Sequence, residues 1–276
     1  MAGDEVVLHR VEDGVAVLTL NRPDRLNAWT SAMERRYFDL LAQAAGDPEV
    51  RVVVVTGAGR GFCAGVDMDD LDAIGEAGSV QGDWDRRPQT FPLSVRKPLI
   101  AAINGACAGL GLVQALMCDL RFAAAGAKLT TAFARRGLVA EHGISWVLPR
   151  LVGPARALDL LLSGRVVLAE EALALGLVNR VVEADSLLAT VLDYARDVAA
   201  NCSPASVAAM KSQVYRHLQT DLATAMDESN RLMAESLRAA DFREGVASFV
   251  ERRPPKFEPL DPERGLGPDP VPGRLV

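Results

Sequence analysis

The sequence has few of the side chains that bind metal ions or build disulfide frameworks. Its 276 residues include three histidines and four cysteines, and none of the cysteines are spaced as Cys-x-x-Cys. This composition argues against a zinc cluster of the common patterns and against a disulfide-stabilised scaffold. We therefore expect no resident metal ion, and reduced thiols at Cys63, Cys107, Cys118 and Cys202.

Positive charge is also in deficit. The formal net charge is −6 at pH 7, so the chain lacks the positive surface charge that would attract nucleic acid. We therefore expect no nucleic-acid partner. The N-terminal stretch MAGDEVVLHR has no basic segment followed by an apolar one, which is the pattern of a secretory signal. We therefore expect a cytoplasmic protein.

One long apolar run needs a separate interpretation. Residues 99–118, LIAAINGACAGLGLVQALMC, carry no charge over a length that could span a bilayer. Pro98 precedes the run, and Asn104-Gly105 places a turn signal inside it. The pattern therefore predicts a buried strand that turns into a buried helix, and no membrane span.

The remaining periodicities predict an α/β core followed by helices. Residues 14–21 and 50–56 are rich in β-branched side chains and predict strands. Between them, Ser31 and Glu34 have the spacing of a capping box and predict the start of a helix. After about residue 154 the pattern is mainly helical, and Gly164 and Gly176 are expected to end two of these helices.

Glycine-rich turns follow two of the predicted strands, at residues 57–65 and 104–111. They do not contain the Gly-x-Gly-x-x-Gly dinucleotide fingerprint or a Walker A loop, and no tyrosine is followed four residues later by lysine. A nicotinamide enzyme is therefore not favoured. Such turns can instead present pairs of backbone N–H groups to an oxygen that gains negative charge.

Five motifs in order give the chain a family resemblance. They are NRPDRLNAW (21–29), GFCAGVD (61–67), KPLIAAINGACAGLGLVQALMCD (97–119), GLVNRVV (176–182) and FVERRPPKF (249–257). In this order they resemble the crotonase superfamily, that of the enoyl-CoA hydratases and isomerases. The resemblance implies an enzyme whose substrate is an acyl-CoA thioester, with coenzyme A as part of that substrate and no permanently bound cofactor.

The resemblance also implies a fold and an assembly. The fold is an α/β spiral of repeated ββα units, here residues 1–200. A C-terminal helical region, residues 201–257, builds homotrimers or hexamers, and a Pro/Gly-rich tail fills residues 258–276. The shared chemistry is stabilisation of a thioester enolate by two backbone N–H groups, which fall on Val66 and Leu110.

The acidic residues depart from the hydratase pattern. The two positions at which hydratases carry glutamate are occupied here by Val113 and Phe133, and neither can transfer a proton. Glu141 matches the position of an acid in members that shift double bonds, so isomerisation with Glu141 as acid and base is favoured. We expect His142 to hydrogen-bond Glu141 or the backbone. Two other functions remain as alternatives: hydration by Glu141 with an ordered water, and acyl-CoA binding without catalysis. A third alternative is structural, with Glu141 as a solvated loop acid or as a partner of Arg135 or Arg136.

The resemblance assigns coenzyme A contacts at both ends of the chain. Arg25 and Ala28 match the N-terminal contact region, and Ala64 matches the position whose carbonyl meets the adenine. Phe249 and Arg252 match C-terminal contacts that a neighbouring subunit can supply. Residues 69–92 are Gly-rich and polar, and we expect them to form a lid beside the acyl pocket.

Overall fold

Two sheets build the core of the protein. The computed structural model describes residues 5–70 and 87–261, so most of the expected lid lies outside the described residues. In chain order the strands are β1 (Val7–Glu12), β2 (Val15–Leu20), β3 (Val52–Gly57), β4 (Gly61–Cys63), β5 (Leu99–Ile103), β6 (Ala106–Ala108), β7 (Leu120–Ala124), β8 (Lys128–Thr130), β9 (Val167–Leu168) and β10 (Arg180–Val182). The described helices are α1 (Ser31–Gly46), α2 (Leu110–Leu116), α3 (Ile144–Val152), α4 (Pro154–Ser163), α5 (Ala169–Leu175), α6 (Leu187–Asn201), α7 (Pro204–His217), α8 (Leu222–Ser236) and α9 (Ala240–Glu251).

The larger sheet has six strands in the order β1-β2-β3-β5-β7-β10. Strands β1 and β2 form an antiparallel hairpin, and every other neighbouring pair is parallel. The hairpin turns at Asp13 and Gly14, both with positive φ, as the Asp-Gly pair predicts. Strand β3 is buried along nearly its whole length, because it lies inside the sheet and α6 packs against it, while α1 packs against the neighbouring β1 and β2.

The smaller sheet has four strands in the order β4-β6-β8-β9. Strands β3, β5 and β7 of the large sheet are each followed directly by β4, β6 and β8 of the small one. Strands β5 and β6 then lead into α2, which makes a complete ββα unit. This alternation confirms the expected spiral of repeated ββα units.

The apolar run at residues 99–118 folds as predicted into strand and helix, here β5, β6 and α2. The turn after β5 is fastened by Asn104, whose Oδ1 accepts from the N–H of Gly57 at 3.2 Å and whose Nδ2 donates to the carbonyl of Gly59 at 2.9 Å. No helix in the described part of the chain is long and apolar enough to cross a membrane.

The start of α1 differs from the sequence expectation. The N-cap is Thr30, whose side chain accepts from the N–H of Met33 at 3.2 Å, and Ser31 is the first helical residue. The expected capping box of Ser31 and Glu34 is therefore wrong by one position. Glu34 is 1% exposed and bonds the indole of Trp29 instead.

The ends of two C-terminal helices follow the prediction. Gly164 and Gly176 adopt left-handed conformations directly after α4 and α5. Helix α6 ends at Asn201, next to the expected boundary between core and helical region. The three helices that follow, α7 to α9, form an arm (residues 204–251), and its role in assembly stays a prediction.

The cysteines provide a test of the core. Cys63, Cys107 and Cys118 are buried and Cys202 is half-buried; burial raises the pKa of Cys63 and of Cys118 to about 12. We expect native protein at pH 8 to react with a thiol reagent at Cys202 alone, and unfolded protein to react at all four. A Cys202→Ser variant is the control, and rapid native labelling of that variant would contradict the packing.

The raised thiol pKa values also set a pH dependence. Thiols in the unfolded chain ionise near pH 9, whereas those of Cys63 and Cys118 stay protonated in the fold to about pH 12. Their contribution to the free energy of unfolding is therefore complete below pH 9 and is lost as the pH rises towards 12. Chemical denaturation should show a smaller alkaline loss for Cys63→Ala than for the wild type.

Candidate active site

A cavity of about 320 Å³ lies where the glycine-rich turns meet the segment that carries Glu141. It brings together six of the residues singled out from the sequence: Arg25, Ala28, Ala64, Val66, Leu110 and Glu141. Its other lining residues are Gly65, Asp67, Met68, Gly109, Thr131, Ala132, Phe133, Arg136 and Leu138.

Val66 lines this cavity, and hydrogen bonds on either side of it constrain its backbone. Trp29 forms a parallel bridge with Val66, in which the N–H of Trp29 donates to the carbonyl of Gly65 at 2.7 Å and its carbonyl accepts from the N–H of Asp67 at 3.0 Å. Successive N–H groups of an extended chain point to opposite sides, so the N–H of Val66 is directed away from Trp29. It has no backbone acceptor among the described residues.

Leu110, the second residue expected to donate its N–H, lines the cavity as the first residue of α2. The first N–H groups of a helix have no partner within it, and they carry the positive end of the helix dipole. The preceding Gly109 donates its own N–H to the carbonyl of Thr130 at 3.0 Å. Its φ of 49° and ψ of −120° are accessible to glycine but not to residues that have a Cβ. This conformation sets the direction of the Leu110 N–H.

The two N–H-bearing turns touch each other. A Cβ built on Gly109 would lie 4.0 Å from the Cα of Gly65, and one built on Gly65 would lie 3.1 Å from the carbonyl oxygen of Ala108. One residue into α2, a Cβ on Gly111 would lie 2.2 Å from the carbonyl oxygen of Cys63. These close backbone approaches bring the turns that carry Val66 and Leu110 together at the cavity. That their two N–H groups form an oxyanion site stays a prediction.

Glu141 reaches the cavity from a tight turn. The N–H of Glu141 donates to the carbonyl of Val139 at 2.9 Å, and His142 and Gly143 follow with φ values of 56° and 80° before α3 begins. The Glu141 side chain is 34% exposed, and its Oε1 lies 3.4 Å from Nε2 of His142. The two side chains are therefore close to each other, but the described structure shows no hydrogen bond between them, and the hydrogen bond expected of His142 stays a prediction.

The surroundings of Glu141 are apolar on one side. Leu138 and Phe133 line the cavity with it, whereas Val139 is 78% exposed. Val113 is fully buried in α2. At the two positions where hydratases carry glutamate, the structure therefore has apolar side chains that cannot take part in proton transfer.

The adjacent arginines do not hold Glu141 in an ion pair. Arg135 donates from Nε to the carbonyl of Ser163 at 2.9 Å at the end of α4. Arg136 lines the cavity and forms no ion pair with Glu141 in the described part of the structure. The structural alternative for Glu141, as an arginine partner, thus finds no support in the contacts.

A second acid at the cavity, Asp67, was not singled out from the sequence. It is 5% exposed, and Arg22 donates from Nη1 to its Oδ2 at 2.7 Å and to the carbonyl of Ala28 at 2.6 Å. The hydrogen bond from Arg22 lowers the pKa of Asp67 below its ordinary value. The pair joins residues that are distant in sequence, so no local pattern could have revealed it.

The Asp67 pair predicts a pH-dependent stability. A lowered folded-state pKa contributes stability that is complete above the unfolded value near 4 and is lost as the pH falls through the folded value. We expect Asp67→Asn to reduce the free energy of unfolding at pH 7 by about 2 kcal/mol, and the difference from the wild type to shrink below pH 4. Urea unfolding across that range measures it, with the exposed Asp185→Asn as control; a constant difference would contradict the pair.

Phe249 and Arg252 lie outside the cavity of their own chain. Phe249 is 85% exposed on α9, and Arg252 follows at the end of that helix with φ of 55°. The structure therefore does not bring these two expected coenzyme A contacts to the other six residues. Their assignment continues to depend on a neighbouring subunit.

Known proteins resemble this chain over most of its length. The family model for enoyl-CoA hydratase/isomerase matches residues 10–259. The 1,2-epoxyphenylacetyl-CoA isomerase of Escherichia coli (strain K12) is 38% identical, over 92% of this chain and 98% of the relative. An enoyl-CoA hydratase of Alternaria alternata is also 38% identical, over 89% of this chain and 83% of the relative.

Solved structures agree with these sequence matches. A probable enoyl-CoA hydratase/isomerase from Mycobacterium abscessus superposes with a TM-score of 0.85 at 31% identity, covering 92% of this chain and 99% of the other. An enoyl-CoA hydratase from Mycobacterium marinum is 53% identical with a TM-score of 0.66, covering 76% of this chain and 96% of the other. The chain is therefore a crotonase-fold enzyme of the enoyl-CoA hydratase/isomerase family, which acts on acyl-CoA thioesters.

Proposed function

We propose that the protein moves a double bond along the acyl group of an enoyl-CoA thioester, with Glu141 as the single acid and base. The proposal is based on which carboxylates line the cavity and what each of them contacts. Among the described lining residues, Asp67 is engaged by Arg22 and Glu141 has no arginine partner. Val113 and Phe133 leave no second carboxylate where a hydratase would have its pair.

The reaction needs one proton acceptor that is also a donor. The Glu141 carboxylate removes a proton from one carbon of the acyl chain, and the electron pair moves into the thioester to form an enolate or dienolate. The N–H groups of Val66 and Leu110 donate to the oxygen that becomes negative. The carboxylic acid of Glu141 then returns the proton to a different carbon, so no water is consumed.

The comparisons support both this reaction and a second candidate. A relative at 38% identity bears the name of an isomerase, in keeping with a single shuttling acid. Other relatives are named enoyl-CoA hydratases, which favours hydration by Glu141 with an ordered water as the alternative. Acyl-CoA binding without catalysis is the least supported, because these relatives are named as enzymes.

The proposed orientation of the substrate follows from the cavity residues. Arg25, Ala28 and Ala64 line the cavity together, and we assign them to coenzyme A, with Arg25 as a cation for phosphate. Phe249 and Arg252 complete this contact from a second copy. The outward apolar side chains of the arm, including Leu222 and Val250 at 78% and 74% exposure, favour a homo-oligomer. Light scattering coupled to size-exclusion chromatography tests that assembly.

A labelling experiment separates the two reactions. Purified protein is incubated with 2-enoyl-CoA or 3-enoyl-CoA in water enriched in heavy oxygen, and the products are identified by mass spectrometry. Double-bond migration without label supports the proposal. A labelled 3-hydroxyacyl product would establish hydration instead, and binding without turnover of either substrate would contradict both.

A further inference from the structure

A buried carboxylate outside the cavity has no part in the reaction described so far. Glu34 lies in the first turn of α1, is 1% exposed and does not line the cavity. Its Oε2 accepts hydrogen bonds from Nε1 of Trp29 at 3.0 Å and from Nε2 of Gln89. A carboxyl group is costly to bury unless its hydrogen bonds are satisfied, and these two partners lead towards the active site in different directions.

The hydrogen bond from Trp29 connects Glu34 with the segment of Val66. Trp29 is itself 2% exposed, and its ring packs edge-on against Tyr37 at 5.4 Å between centroids. The backbone of Trp29 holds the residues on either side of Val66 through the bonds to Gly65 and Asp67. Because the bond to Glu34 fixes the indole, it also limits how far this backbone can shift, and the Val66 N–H with it.

The hydrogen bond from Gln89 connects Glu34 with α2, the helix that begins at Leu110. Nε2 of Gln114 donates to Oε1 of Gln89 at 2.7 Å and to the Gln89 carbonyl at 3.2 Å. Gln114 follows Leu110 by four residues, which is about one turn along the same face of α2. The chain of bonds from Glu34 through Gln89 to Gln114 therefore connects α1 with the helix whose first N–H lines the cavity.

The same segment also abuts the turn that carries the acid. A Cβ built on Gly143 would lie 3.0 Å from Cγ2 of Thr90, the residue after Gln89. Gly143 is two residues from Glu141 and has φ of 80°. The side chain of Thr90 thus lies beside the turn of Glu141, and the side chain of the preceding Gln89 is held by Glu34.

We propose that Glu34 is a positioning residue, which sets the spacing of the Val66 and Leu110 N–H groups and steadies the turn of Glu141. The inference rests on the proposed role of those groups as an oxyanion site. Glu34 acts through Trp29 and Gln89 and touches no substrate. Its loss is expected to weaken the polarisation of a bound thioester more than the binding of coenzyme A.

The test uses Glu34→Leu, with Lys97→Met as the matched control. Lys97 is buried and donates from Nζ to the carbonyls of Ala44 and Asp47, at the opposite end of the same helix. Both substitutions remove a buried charged anchor of α1, but only Glu34 is hydrogen-bonded to residues that contact the segments of the active site. Thermal unfolding is measured for both, so that a general loss of stability is separated from a change at the site.

Two readouts are taken below the unfolding temperature. The first is kcat and KM for double-bond migration, and the second is the absorption of bound 4-dimethylaminocinnamoyl-CoA, which moves to longer wavelength when its thioester carbonyl is polarised. For Glu34→Leu we expect kcat to fall about tenfold or more, with little change in KM and a smaller red shift. Lys97→Met is expected to keep the wild-type kcat and red shift.

A milder variant, Trp29→Phe, is included in case Glu34→Leu does not fold. Trp29→Phe removes the indole donor and keeps an aromatic ring, and we expect a partial loss of both kcat and red shift. A wild-type red shift retained in full by Glu34→Leu and Trp29→Phe would overturn the role of Glu34 alone. A wild-type protein that binds the probe without a red shift would overturn the oxyanion site itself, and this inference with it.

Discussion

Replacing Glu141 with glutamine is expected to lower kcat for double-bond migration by about 10²–10⁴-fold. The carboxamide keeps the shape of the side chain but cannot accept the proton from the acyl carbon or return it. The residues assigned to coenzyme A lie on other segments, so we expect KM and the dissociation constant of the substrate to change little. Initial rates and calorimetric titration with the same enoyl-CoA measure the two effects.

Two further variants show whether the loss is specific to Glu141. Glu183 is an exposed acid outside the cavity, and Glu183→Gln is expected to keep the full rate. His142→Gln removes the imidazole that lies 3.4 Å from Glu141, and we expect a much smaller loss because the carboxylate remains. Wild-type turnover by Glu141→Gln would contradict the assignment of this acid.

The second large effect is expected at Gly109. Alanine there has room, since the nearest atom to its Cβ would be the carbonyl oxygen of Thr131 at 3.8 Å. The backbone conformation is the difficulty. With φ of 49° and ψ of −120°, residue 109 lies in a region that is sterically unfavourable for alanine, so the backbone dihedral angles would rotate to an allowed region. Rotation turns the Leu110 N–H away, and loss of one such donor lowers kcat by about 10²–10³-fold.

Gly126 offers a control that also has a positive φ. It has φ of 72° with nothing within 4 Å of a built Cβ, and it lies outside the cavity. Gly126→Ala is therefore expected to cost some stability and no activity. Activity assays and thermal unfolding of both alanine variants separate the two consequences. Equal rates for Gly109→Ala and the wild type would show that Leu110 is not a donor to the substrate.

The sequence contained the information for features that depend on neighbouring residues. The β-branched runs of β2 and β3, the turn at Asn104 and the helix ends at Gly164 and Gly176 each follow from local backbone preferences. The family resemblance gave the fold and the enzyme class. It also predicted Glu141 as the acid, from its match to an acidic position in members that shift double bonds, and that role stays a prediction.

The features that were missed depend on contacts between distant segments. Arg22 and Asp67 are 45 residues apart, and Gln89 and Glu34 are 55 apart. At the start of α1, either Thr30 or Ser31 could have capped the helix, and only the folded chain turns the side chain of Thr30 to the N–H of Met33. That bond, by contrast, spans only three residues, so the expected cap is wrong in its register and does not depend on a distant partner.

The positions of the donors and the acid have a consequence for how new reactions can arise on this scaffold. The two N–H groups are locked by backbone contacts such as the one between Gly111 and Cys63, and few substitutions can be accommodated there. The acid stands on a separate turn that contributes nothing to those contacts. With the roles proposed above, a carboxylate can be relocated around the substrate, which changes the carbon that exchanges a proton, while the two proposed N–H donors keep their positions.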